Sequence, residues 1–139
     1  MVLHINVATL RLFLHVLGAT VWVGGQVALA AVVPVIRRVG GIETARAAGR
    51  RFQLIAWPAF ALLVGTGIWN LFAVNVGDQS SAYLRTLVIK LLLVAVSGLG
   101  ALGHILFVRR RPTFGGMLAG IALLAALGAT FVGVLLATG

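Results

Sequence analysis

From Thr113 to Ala137 the chain carries no ionisable side chain, and three further stretches are nearly as bare. A helix needs about 20 such residues to cross bilayer hydrocarbon. Inside the hydrocarbon the backbone must satisfy its own hydrogen bonds. The feature leaves little choice of solvent. Of the 139 residues, 61% are hydrophobic and 9% charged, against about 25% charged in an ordinary soluble domain. The expected fold is all-α: an integral-membrane four-helix bundle forming one domain, with spans near 6–36, 52–73, 83–108 and 113–137 and the lipid bilayer as its surroundings.

The punctuation between these runs is specific. Pro34, Arg37-Arg38 and Gly40-Gly41 should stop the first span. The segment 42–51, with Glu43, Arg46, Arg50 and Arg51, reads as a short interfacial helix or as the exposed start of the second span, its arginines against anionic headgroups. Trp57-Pro58 and Trp69-Asn70 suit aromatic belts at the two ends of the second span. The linker 75–81 (NVGDQSS) is polar and turn-rich, and Arg109-Arg110-Arg111-Pro112 stops the third span. In the fourth, Gly116 and Gly120 stand in GxxxG spacing and should allow close helix packing.

Charge sets the orientation. Five arginines (37, 38, 46, 50, 51) lie in the first loop and three (109, 110, 111) in the third, whereas the middle loop holds Asp78. By the positive-inside rule the first and third loops are cytoplasmic and both termini lie on the non-cytoplasmic side, in a bacterial-type inner (plasma) membrane. The first apolar run is too long for the core of a cleavable signal, so none is expected. The net charge of +9 follows membrane topology and calls for no nucleic-acid partner. With no cysteine, disulfide and thiolate chemistry are excluded.

Few residues remain that can carry chemistry. At 100° per residue His15, Trp22 and Gln26 share a narrow arc of the first span, and His4 and Arg11 extend it. Ionisable groups cost about 3 kcal/mol in hydrocarbon on insertion scales, so such a stripe should face other helices or a cavity. On the third span Tyr83, Lys90, Ser97 and His104 recur every seven residues and drift only about 20° per step. Two polar stripes should face each other. By depth, His15 and Lys90 both lie roughly 10–14 Å below the outer boundary, with His104 roughly 20 Å away from His15 along the membrane normal. Lys90 is well inside an apolar run and must find an anion, water or a ligand, or lose its proton. Arg11 and Arg85 are close enough to an interface either to snorkel or to meet a ligand. His104 is expected to hydrogen-bond a neighbouring helix. If Met1 is removed, Val-Leu-His would offer a nitrogen set at His4 for Cu(II); the alternative is a mobile His at a frayed terminus.

The segments LHVLGATVWVGGQ…VVPVIRR, RRFQLIAWPAFALLVGTGIWN and LRTLVIKLLLVAVSGLGALGH together resemble the membrane domain of the copper-resistance protein D family over nearly the whole chain. The first-span His and third-span Lys also resemble those of HemJ-type protoporphyrinogen oxidases. That likeness implies haem b, with His15 and Lys90 as the functional pair. Pro34 falls later than that family's Pro-Arg, which favours the copper-resistance branch. Three function classes follow. The first is a haem b-binding redox protein, a possible oxidoreductase working with a membrane redox partner or as a homo-oligomer. In it His15 binds iron, Lys90 is a second ligand or a neighbouring cation, and Arg11 or Arg85 meets the propionates. Trp22 and the gaps at Gly18, Gly24 and Gly25 would accommodate the ring. The second is copper uptake or tolerance, although the soft ligands that select Cu(I) are scarce. The third is an accessory subunit of a larger membrane complex, docked through its bare fourth span.

Overall fold

The computed structural model describes residues 5–139 and is helical, with three helices where four were expected. Helix α1 runs Val7–Ala73, α2 Ser81–Phe107 and α3 Pro112–Thr138, with a single 3-10 turn at Val76–Asp78 ahead of α2. All three are long and apolar enough to cross a membrane, which marks the chain as a membrane protein.

The four-helix count fails at residues 37–51. Pro34 and Arg37-Arg38 do not end the helix, because the alanines and arginines there are strong helix formers and the helix absorbs the proline. Only Gly41 leaves helical geometry, at φ 80° and ψ 176°, a region essentially reserved for glycine.

A straight helix of 67 residues would be about 100 Å long. Instead α1 reverses at Gly41, and residues nearly equidistant from that glycine meet. His15 pairs with Thr66, Trp22 with Phe60, and Gly18 lies against the backbone of Ala59 and Leu63. Asn6 caps the start of α1 by accepting from the Thr9 amide at 2.8 Å. Replacing Gly41 with valine should therefore destabilise the fold by about 1–3 kcal/mol. Gly49→Ala is the control, since a Cβ there meets nothing within 4 Å. Detergent-solubilised variants titrated with dodecyl sulfate and followed by circular dichroism would measure the difference. Equal midpoints would refute a special role for Gly41.

The packing is inverted relative to a water-soluble domain. Large side chains such as Phe13, Phe72, Leu99, Leu124 and Phe131 are exposed, while the buried positions are mostly small: Ala45, Ala56, Ala59, Ala122, Ala125, Ala126 and Ala129. In lipid the drive for helix association is close backbone approach rather than release of water from apolar surface. The chain divides into two compact units, 1–75 and 76–139.

In the second unit α2 and α3 pack along Ser97 and Gly100 of α2 and the alanine row of α3. Ser97 is 1% exposed, and a Cβ at Gly100 would lie 3.0 Å from the Leu118 carbonyl oxygen. Gly116 and Gly120 do not make the helix contact expected of them: a Cβ at either would meet nothing within 4 Å. Gly115 is set against the backbone of Val108 instead, while Gly128 and Gly133 lie against the side chains of Leu93 and Lys90. Ser80 caps α2 through the Tyr83 amide, and Pro112 opens α3 at a position whose amide needs no partner.

Candidate functional site

The polar groups of the first unit converge where the two arms of α1 come level. His15 stands 26 residues before Gly41 and Thr66 25 after it. The fold-back sets His15 Nδ1 3.0 Å from Thr66 Oγ1. Thr66 is 5% exposed, and its hydroxyl donates to the Leu62 carbonyl at 2.6 Å, with Leu63 O at 3.2 Å. Gly67 lies beside the imidazole: a methyl there would sit 3.4 Å from Cε1.

One turn before His15, on the same face, Arg11 is half-buried, and its Nε is buried without a hydrogen-bond partner among the described residues. An orphaned guanidinium donor in an apolar setting is costly and calls for an anion. Arg46, by contrast, has its carboxylate in Glu43.

Trp22, 3% exposed, sits against Phe60 (ring centroids 4.4 Å apart) and Trp57 (5.5 Å), with Trp57 and Phe60 edge to face at 5.8 Å. These rings join the two arms, so Trp57 belongs to this cluster as well as to the end of a span. Gly18 and Gly25 were expected to make room for a bound ring. The opposite arm occupies that room: the Ala59–Leu63 backbone fills the side of Gly18, and the Phe52 ring fills that of Gly25. Gly24 has open space. Gln26 closes the stripe by donating to the Trp22 carbonyl at 3.2 Å.

Three of the remaining candidates belong to the second unit. Lys90, half-buried on α2, lays its ammonium beside Gly133 of α3, 3.3 Å from where a Cβ would stand. Arg85 is exposed. His104 does what its position implies: Nδ1 donates to the Gly115 carbonyl at 2.8 Å, tying the end of α2 to the start of α3. His4 lies outside the described residues.

Thr66 is the site residue that sequence reasoning missed. A hydroxyl in the middle of an apolar run was the available signal. Its partner could be named only once the reversal point was known to be Gly41.

Comparison with protein-family models, with curated proteins and with solved structures yields no match. The functional reading therefore stands on the residues themselves. Among the described residues no three His, Cys, Asp or Glu side chains gather into a metal-binding group. An imidazole such as His15 can hold a metal that brings other ligands with it, as a porphyrin does with its four nitrogens.

Proposed function

We propose that this chain is a multi-pass protein of a bacterial-type inner membrane that holds a b-type haem through His15 and serves in electron transfer. The observation that carries the reading is the His15–Thr66 contact. A ligating histidine ordinarily engages its other ring nitrogen in a hydrogen bond that fixes its orientation, and His15 has that arrangement inside an apolar helix pair. The orphaned Nε of Arg11 supports it, since a propionate would supply the missing acceptor as a charge-assisted bond. The resemblance to the copper-resistance protein D and HemJ-type families points the same way. Bound there, haem supplies one-electron redox chemistry. The chain's part is to orient the imidazole, neutralise a carboxylate and keep water out with the Trp22–Trp57–Phe60 cluster.

Copper tolerance is less well supported, because a mononuclear copper site needs several protein ligands in one place. Docking as an accessory subunit through α3 has no observation of its own.

Protein purified in detergent from haem-replete cells should show a Soret band. His15→Ala should abolish it, and His104→Ala should leave it intact. Arg11→Leu should weaken haem affinity by about tenfold or more, the size of one hydrogen bond to a charged group. A colourless wild-type protein, or an undiminished band in His15→Ala, overturns the reading.

A further inference from the structure

We infer that Thr66 is a positioning residue that holds His15 as the Nδ1–H tautomer, making Nε2 the nitrogen that carries the lone pair. The hydrogen bonds around Thr66 require this direction. A threonine hydroxyl has one proton, and in Thr66 that proton is committed to helix carbonyls, Leu62 O at 2.6 Å with Leu63 O at 3.2 Å. Carbonyl oxygens only accept, so neither can reverse its bond to the hydroxyl. What Thr66 Oγ1 offers His15 is a lone pair, and at 3.0 Å the imidazole Nδ1 must be the donor. In a neutral imidazole the other nitrogen is then unprotonated.

The helix enforces the arrangement. Hydroxyl back-bonding to the carbonyl one turn earlier is a local preference of threonine in helices, so the proton is directed away before the two arms meet. The fold-back at Gly41 then brings an acceptor, rather than a donor, to His15. Gly67, the next residue, places no side chain against the Cε1 edge of the ring. Thr66 thus decides which nitrogen ligates. Its bearing on haem rests on the function proposed above, whereas the tautomer itself does not.

Two measurements test this separately. Full-length protein with ¹⁵N-labelled histidine, produced in cells unable to make haem, would be studied by two-bond proton–nitrogen correlation NMR. The His15 signals are those lost in His15→Ala. Wild type should show Nδ1–H. In Thr66→Val the ratio of Nδ1–H to Nε2–H should fall by about tenfold, the scale of a single lost hydrogen bond. Thr66→Ser should restore the wild-type ratio, which a general packing defect would not. In haem-replete protein, Thr66→Val should weaken haem affinity by about 10–100-fold, again with rescue by serine. An Nε2–H tautomer in the wild type, or a ratio and an affinity both unmoved by Thr66→Val, overturns the inference. A colourless protein with Nδ1–H at His15 would overturn haem binding and uphold Thr66. A coloured one with Nε2–H in its haem-free form would do the reverse.

Discussion

Gly18→Val should pull the two arms of α1 apart, with a loss of about 3 kcal/mol or more of stability. At this position even a Cβ would lie 2.9 Å from the Ala59 carbonyl oxygen and 3.0 Å from the Leu63 nitrogen. Both obstacles are backbone, so neither can rotate away. Overpacking of a tight contact commonly costs about 1–3 kcal/mol and more where nothing yields, and a β-branched residue adds two methyl groups to the clash. The effect should reach the site, because Gly18 lies within one turn of His15. Separating the arms removes Thr66 from Nδ1, so the valine variant should also lose the Nδ1–H tautomer and the Soret band. Dodecyl sulfate titration would give the stability change. Gly24→Val, whose Cβ meets nothing within 4 Å, is the comparison. If the two valines behave alike, the close approach of the arms at Gly18 is wrong.

The second large effect is expected in the α2–α3 unit. A Cβ on Gly115 would fall 2.6 Å from the Val108 Cα and 2.8 Å from its nitrogen. Gly115→Val must therefore lift the first turn of α3 off the end of α2, breaking the 2.8 Å bond from His104 to the Gly115 carbonyl. A loss of about 3 kcal/mol or more is expected. The hydrogen bond alone accounts for little of it: His104→Ala should cost only about 0.6–1.7 kcal/mol, the range of side-chain hydrogen bonds in membrane proteins. Valine at the adjacent Gly116, with nothing within 4 Å, should be nearly silent, since valine is no worse a helix former than glycine. Thermal unfolding of the three variants in one detergent would rank them. Parity between the Gly115 and Gly116 variants would sink the assignment of Gly115 as the contact residue.

That neighbouring glycines should differ so sharply shows where sequence ceased to inform. The GxxxG spacing drew attention to Gly116 and Gly120, but spacing fixes only that two residues share a face. Which face turns toward α2 depends on the turn 108–111, and there Gly115 alone fits against Val108. The helical, membrane-bound character was legible, because runs without charge admit no other solvent. The polar arc of His15, Trp22 and Gln26 was legible as well, since helical periodicity is a local property. The break between the first two expected spans was misjudged. Pro34, Arg37-Arg38 and Gly40-Gly41 were weighed as stop signals, whereas helix propensity carried the chain through all but Gly41. Thr66 escaped notice for the same reason, its partner being set by the reversal point. Arg11 could be placed on the arc but not shown to hold a buried, unpaired donor.

The uninterrupted helix from residue 42 to Ala73 also restricts how this chain can vary in length. With no loop after Gly41 to absorb a change, one residue inserted between Gly41 and Trp57 would turn everything beyond it by about 100° and slide it by about 1.5 Å. Thr66 would leave His15, and Phe60 and Trp57 would leave Trp22, in a single step. An insertion among residues 75–80 would meet no such constraint within either unit. Insertions and deletions that preserve the site should therefore collect at that linker, and the second arm should keep a fixed count from the glycine at which it begins.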